Sequence, residues 1–277
     1  MDFSDFKKSL AETRDRGDLI ENELAARGNE NQGASLAEEI FSRHQGKANP
    51  DSRQICTVLS GVLDVIASQG LQPTPAALFA AISTALSSQD IGKDIPTSTA
   101  LFNLLDLILT RVSSPVIKSR AFGVIKVAVD LLANIDNTTE VHSNLKVAII
   151  PPLAHLLAAT GPEDWVPVSR GFVIILASSF DQRPRVRKKA QSGLVDILSS
   201  FQSSSALLSN ASDSILKQAQ QVLTMPRVTA EAASMAPSKK RRQAEEAITS
   251  SVLDALHLMG ALKHIISLVT GMCICDG

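Results

Sequence analysis

Two short clusters of cations are the residues of this sequence best placed to do chemistry outside a hydrophobic core. The first cluster lies between Asp181 and Ala190 and contains five cations, and the second is the run from Lys239 to Arg242. Because lysine and arginine bind phosphate groups and carboxylates, both clusters are candidate contact sites for an anionic partner. The formal net charge of the chain is only −1, which argues against a dedicated high-affinity DNA-binding domain.

The first cluster opens a predicted helix that begins at Arg183-Pro184. Cations are disfavoured there because a helix N-terminus already carries partial positive charge. A bound phosphate or acidic side chain would relieve this, since the first backbone N–H groups of a helix also bind anions. The candidate contacts for RNA or an acidic partner are Arg183, Arg185, Lys188 and Lys189.

The second cluster lies in a stretch from Met225 to Gln243 that contains two prolines and shows little apolar periodicity. We therefore expect an exposed basic loop over residues 225–243. Four consecutive cations in such a loop fit a monopartite nuclear localisation signal, which binds an acidic groove in an extended form. These residues are Lys239, Lys240, Arg241 and Arg242. A charge run that is merely solvated is an equally good interpretation of the pattern.

Motifs for catalysis are missing from the sequence. It contains no G-x-x-x-x-G-K, H-E-x-x-H, G-x-S-x-G or G-x-G-x-x-G pattern. Cys273 and Cys275 are spaced to hold a soft metal, but tetrahedral zinc needs two further ligands, and only His264 lies nearby. We therefore predict a protein that is not an enzyme and that uses no cofactor, metal or small-molecule substrate.

The elements that position the cations are predicted to be helices packed by aliphatic side chains. Hydrophobic residues make up 44% of the chain, aromatic residues make up 4%, and tyrosine is absent, whereas β-sheets usually draw on aromatic residues. The longest apolar stretches, 147–159 and 252–269, are interrupted by prolines or charges. Neither stretch is predicted to span a membrane, and no secretory signal is predicted at the N-terminus.

One pattern recurs from Ser35 onward: a polar cap, often a proline at the first helical position, and then apolar residues three and four apart. Alternate helix starts fall near residues 36, 75, 115, 163 and 212, close to the roughly 40–47-residue period of HEAT and armadillo units. We predict an all-α fold, an α-solenoid of about five HEAT/armadillo-like antiparallel helix pairs. A closed helical bundle is the alternative.

This architecture gives a second interpretation of the first basic cluster. The spacing of Asp181 and Arg187 matches the turn and second helix of a HEAT unit, where an Asp and an Arg commonly form a ladder between neighbouring repeats. Asp181 and Arg187 are therefore predicted to be structural, and a structural role is the favoured alternative for the cluster as a whole.

The predicted boundaries divide the chain into four segments. They are a mobile polar N-terminal arm over 1–34, HEAT-like helical repeats over 35–224, the basic loop over 225–243, and a final helix or helix pair of a truncated repeat over 244–277. Two local features refine this. Pro151-Pro152 should kink or split the helix that contains it, and Ser212 should cap a short helix.

Three runs of residues in this order resemble the N-terminal HEAT-repeat region of the ribosomal RNA processing protein 12-like family. They are Ile55–Gly70, Leu104–Val116 and Arg183–Gln191. The resemblance covers about Phe41 to Leu198 well and continues more loosely to about Val269. The family's members are far longer, so the chain is expected to be a truncated or fragment member.

The resemblance implies a non-enzymatic α-solenoid of the nucleus and nucleolus that associates with pre-ribosomal particles. It implies a role in pre-ribosomal RNA processing, subunit maturation and nuclear export, with contacts to protein, RNA and transport factors such as Ran, and shuttling to the cytoplasm. The alternative is an importin-like nuclear transport receptor or cargo adaptor on the same solenoid. Such a receptor would bind Ran or import signals without depending on ribosomal RNA.

Overall fold

The computed structural model of this chain describes most of it between Gln32 and Ser234 and a few positions beyond. The described residues are 32–47, 49–88, 91–135, 139–161, 164–234, 248–249, 252–253, 255–258 and 260. The predicted arm over 1–34 therefore lies outside the described residues, apart from its last three positions, which begin the first helix.

Nine α-helices are assigned in the described part of the chain, which contains no strand. They are α1 (Gln32–His44), α2 (Pro50–Ser68), α3 (Pro75–Leu86), α4 (Ile95–Leu109), α5 (Ser114–Asn134), α6 (Glu140–Ala158), α7 (Trp165–Ser178), α8 (Pro184–Phe201) and α9 (Ser205–Ser234). The described residues between 248 and 260 are also helical. The predicted all-α class is confirmed.

Polar caps followed by prolines begin several of these helices. The side chain of Asn49 accepts a hydrogen bond from the backbone N–H of Asp51 at 3.0 Å, and that of Thr74 accepts one from Ala77 at 3.1 Å. Each cap satisfies a donor that has no partner inside the helix. Beyond the other end of α2, Gly70 has a φ of 70°, a left-handed conformation that glycine adopts without steric cost and that commonly follows the end of a helix.

The unit from Met1 to Ala159 is built from two layers of helices. Helices α1, α3 and α5 contact one another in order as one layer, and α2, α4 and α6 do so as the other. Each helix of the first layer also contacts the next helix in the chain, and the most extensive contact is between α4 and α6. This arrangement is the stack of helix pairs predicted for an α-solenoid.

The unit from Thr160 to Gly277 begins with α7, which contacts both α8 and α9. The rings of Trp165 and Phe172 on α7 lie 5.6 Å apart, and Phe201 at the end of α8 lies 6.1 Å from Trp165 and 6.4 Å from Phe172. A second cluster contains Phe180, Ala219, Val222 and Leu258. The helical residues around 258 therefore pack against α9 and the end of α7.

Helix α6 contradicts the expected split at Pro151-Pro152, because it runs unbroken from Glu140 to Ala158. Burial of a leucine or isoleucine side chain contributes about 1.5–3 kcal/mol, and Ile149, Ile150 and Leu153 are almost completely buried. Together with the other buried residues of α6 they offset the roughly 3 kcal/mol that each of the two interior prolines costs.

Helix α9 contradicts the expected start at Ser212. It begins at Ser205, preceded by Ser204, whose hydroxyl accepts a hydrogen bond from the N–H of Leu207 at 3.4 Å. Leu207 and Ala211 are buried, so the burial of these two side chains extends the helix towards the N-terminus beyond the predicted start.

The same helix continues to Ser234, so the first ten residues of the expected loop over 225–243 are helical. The sequence 230–233 consists of alanines and one glutamate, which favour a helix, and Pro226 does not end it. Residues 235–247 lie outside the described residues. None of the described helices combines the length and apolar character needed to cross a membrane.

A pair of identical substitutions on α9 tests this helix start. Leu207 is 3% exposed and Leu216 is 58% exposed, so Leu207→Ala should lower the free energy of unfolding by about 2–5 kcal/mol. Leu216→Ala should change it by no more than about 0.5 kcal/mol. Urea denaturation of the two variants measures both effects. Equal losses would show that Leu207 is not part of the buried face of α9.

Candidate functional site

The turn between α7 and α8 carries the first basic cluster. α7 ends at Ser178, and α8 begins at Pro184 after five residues. Within this turn, the carboxylate oxygen Oδ1 of Asp181 accepts a hydrogen bond from the backbone N–H of Arg183 at 2.9 Å. Asp and Asn side chains commonly close turns in this way, by bonding the backbone two residues on.

The same carboxylate also binds the side chain of Arg183. Arg183 Nε lies 2.8 Å from Asp181 Oδ1, and Arg183 Nη2 lies 2.6 Å from Asp181 Oδ2, with the two side chains 26% and 15% exposed. This is the two-pronged geometry in which a guanidinium binds a carboxylate most strongly. The hydrogen bond to Asp181 raises the pKa of Arg183 above its usual value. Arg183, predicted as a partner contact, is thus engaged in holding the turn.

Two further side chains of α8 bind main-chain oxygens of the turn. Arg187 Nη1 donates to the carbonyl of Asp181 at 2.8 Å and to that of Gln182 at 3.3 Å, and Gln191 Nε2 donates to the carbonyl of Ser179 at 3.0 Å. Arg187 therefore bonds the backbone of its own turn, and the Asp181 carboxylate pairs with Arg183. The Asp–Arg ladder between neighbouring repeats stays a prediction. Gln191 was missed, although its position one turn after Arg187 places it on the same helix face.

The remaining cations of the cluster face solvent. Arg185, Lys188 and Lys189 are exposed, whereas the neighbouring Val186 and Ala190 are buried. We call these three residues the basic stripe. Within the described part of the chain, none of the three forms a hydrogen bond or an ion pair. Residues three and four apart on a helix are neighbours, so the stripe is a compact positive surface suited to binding an anionic partner by charge.

The second cluster, Lys239 to Arg242, lies outside the described residues, and its role as a nuclear localisation signal stays a prediction. Among the residues that the structure describes, no three His, Cys, Asp or Glu side chains are grouped closely enough to hold a metal ion.

One histidine of the other unit has a perturbed environment. Nδ1 of His44, at the end of α1, lies 3.3 Å from Oγ of Ser52 on α2. Burial lowers the pKa of His44, and the positive charges of Lys47 and Arg43 lower it further. The neutral imidazole is therefore favoured, and the pair serves as a polar contact between α1 and α2.

Comparison with known proteins gives consistent results. A family model described as RRP12-like, N-terminal HEAT repeats, matches residues 22–274. The chain is 29% identical over 148 residues to an RRP12-like protein of Homo sapiens and 30% identical over 148 residues to one of Gallus gallus. Each alignment covers 53% of this chain and 11% of the relative, so the chain matches about a tenth of the relatives' length. No solved structure matches the chain.

The contacts of the turn predict unequal effects for two arginines of α8. Arg187→Ala removes charged hydrogen bonds to two carbonyls and should lower the free energy of unfolding by about 1.5–3 kcal/mol. Arg185→Ala removes an exposed side chain and should change it by less than about 0.5 kcal/mol. Chemical denaturation followed by circular dichroism measures both variants, and a loss for Arg185→Ala as large as that for Arg187→Ala would contradict the assignment.

Proposed function

This chain belongs to the RRP12-like N-terminal HEAT-repeat family, and from that premise we propose that it is a non-enzymatic scaffold in ribosome biogenesis. Its role would lie in pre-ribosomal RNA processing, subunit maturation and nuclear export. The family match and the two curated relatives support the proposal. The two layers of stacked helices in the unit up to Ala159 support it as well, since such stacks expose extended surfaces on which partners dock.

The observation that carries the proposal is the contrast within one cluster of cations. Arg183 and Arg187 bind groups of their own turn, whereas the basic stripe is exposed. The three exposed cations form no hydrogen bond or ion pair within the described part of the chain, so their charge is available to an anionic partner. A pre-ribosomal particle, rich in RNA phosphate, is the anionic partner that this family assignment suggests.

Binding through the stripe would be the sum of several modest contacts. A single exposed ion pair contributes about 0–1 kcal/mol, so three cations add useful affinity only when they act together with other contacts on the particle. Such binding weakens as salt rises, because phosphate contacts release condensed counterions.

The proposed location is the nucleus and nucleolus, with shuttling to the cytoplasm. The run Lys239, Lys240, Arg241 and Arg242 supports this as a candidate nuclear localisation signal. Transport factors, Ran among them, would be further partners during export.

Reversing the charge of the stripe tests the proposed contact. The variant Arg185→Glu/Lys188→Glu/Lys189→Glu should abolish most co-sedimentation of the tagged chain with pre-ribosomal particles, because three attractive contacts become repulsive. Its melting temperature should stay nearly unchanged, since the three side chains are exposed.

A matched control has the same change in net charge at other exposed lysines: Lys118→Glu/Lys126→Glu/Lys217→Glu. This variant should co-sediment almost like the unmodified chain. Equal losses in both variants would show that net charge alone, and not the stripe, governs association. Ribonuclease-resistant recovery of Ran or import cargo in place of ribosomal precursors would favour the transport receptor over the scaffold.

Alanine substitution of the second cluster tests the proposed location. The chain is fused to a fluorescent partner large enough to prevent passive entry into the nucleus, and Lys239 to Arg242 are changed to alanine. The fusion should remain in the cytoplasm, because an acidic import groove would lose its four cationic ligands. The stripe variant in the same fusion serves as the control and should still enter the nucleus. Undiminished entry of the alanine variant would show that the run is merely solvated.

A further inference from the structure

We propose that Asp181 is a positioning residue for the basic stripe, and that it fixes the start of α8 so that Arg185, Lys188 and Lys189 form a preordered site for the phosphodiester backbone of RNA. This inference rests on the proposed function, because it assigns a partner chemistry and a supporting residue to the same site. The turn residues and the stripe thus form a single structural unit.

The contacts place Asp181 at the centre of the turn. Its carboxylate accepts hydrogen bonds from the backbone N–H, Nε and Nη2 of Arg183, and its carbonyl accepts one from Arg187. Gln191 adds a bond to the carbonyl of Ser179. Arg183 immediately precedes α8, and residues 187 and 191 are four apart on one side of it. The first two turns of the helix are therefore tied to the preceding turn.

The stripe occupies the solvent-facing side of the same two turns. With about 100° of rotation per residue, positions 185 and 189 lie about 160° from position 187, and position 188 lies about 100° from it. The anchoring side chains therefore hold the helix without obstructing the stripe. The hydrogen bonds that hold the backbone of these two turns also fix the positions from which the three exposed cations project.

The anchoring by Asp181 opposes an electrostatic destabilisation of the start of α8. Cations at a helix N-terminus oppose the macrodipole, and like charges four residues apart repel each other. Asp181 is an acid next to five cations, and its pairing with Arg183 neutralises one of them within hydrogen-bond distance. The start of α8 can thus keep three exposed cations that would otherwise favour fraying.

The surroundings of the stripe favour a nucleic-acid backbone over bases. The other exposed residues on α8 include Ser192, Asp196 and Ser199, so this face offers no aromatic ring on which a base can stack. Phe172 and Phe201 are buried. A fixed row of cations suits a partner whose charges repeat at regular intervals, as the phosphates of an RNA strand do, and contact with phosphates carries no sequence preference.

The substitution Asp181→Asn separates a positioning role of Asp181 from a purely electrostatic one, because the two roles predict opposite changes in RNA affinity. Asp181→Asn removes a negative charge, so binding of RNA should tighten if only charge matters. If Asp181 orders the stripe, the same substitution should weaken binding, because the three cations no longer reach neighbouring phosphates at once. Asp196→Asn is the matched control, since Asp196 is exposed on the same helix and its loss changes the net charge equally.

The experiment uses the whole chain and a labelled single-stranded RNA of mixed sequence, with binding measured by fluorescence anisotropy at several salt concentrations. We expect Asp181→Asn to weaken binding by about three- to tenfold and to reduce the slope of log affinity against log salt by about 0.7 for each lost phosphate contact. Asp196→Asn should leave affinity unchanged or slightly higher. Tighter binding by Asp181→Asn, equal to that of Asp196→Asn, would overturn the positioning role.

A second variant keeps the test decisive where Asp181→Asn does not fold. Arg183→Lys preserves the net charge but removes the two-pronged pairing, and it should weaken RNA binding in the same direction. It should also speed hydrogen exchange of the amides at residues 185–189. Unchanged affinity and unchanged exchange in Arg183→Lys would overturn the proposal.

A neutral variant of the stripe tests whether the stripe binds RNA at all, separately from the role of Asp181. The variant Arg185→Gln/Lys188→Gln/Lys189→Gln should lose affinity for the RNA probe and reduce the salt slope by about 2. Unchanged binding by this variant would remove the stripe from the RNA account whatever Asp181 does. Binding of a polyglutamate probe with the same dependence on the stripe, in the absence of RNA binding, would identify an acidic protein as the partner and overturn the assignment to RNA.

Discussion

Burial of one helix's apolar face against its neighbours is the constraint on which the structure depends. A single helix pair leaves an apolar face exposed, and adding the next pair covers it. In the unit up to Ala159, α4 contacts α2 on one side and α6 on the other, and its leucines 101, 104 and 105 are almost completely buried. This burial also explains why α6 tolerates two consecutive prolines.

The same constraint produces the candidate site. Val186, Ala190 and Leu194 must face the core of the second unit, so the opposite side of α8 is left to polar residues. Cations occupy that side in the first two turns. The turn from α7 supplies the carboxylate and the carbonyls that engage Arg183 and Arg187, and the stripe is what remains exposed.

Local signals predicted several helix starts to within a few residues, among them those at Pro75, Ser114, Trp165 and Pro184, because caps and prolines act on the few residues around them. The predictions failed where packing, or the helix propensity of the following residues, overrode a local signal. Ser212 has the chemistry of a cap, yet burial of Leu207 moves the start of α9 to Ser205. Pro226 has the chemistry of a helix breaker, yet α9 continues to Ser234. In both cases the local preference is worth less than the packing or the helix propensity of the neighbouring residues.

The amino-acid sequence alone determined the helical class, the repeat length, the family resemblance and the location of both basic clusters, since these follow from composition and spacing. Only the tertiary structure decided which cations of the first cluster are free to bind. Five cations within seven residues look alike in a sequence. Their roles separate when the path of the turn places a carboxylate beside Arg183 and two carbonyls beside Arg187, because hydrogen bonds depend on distances that spacing along the chain does not specify.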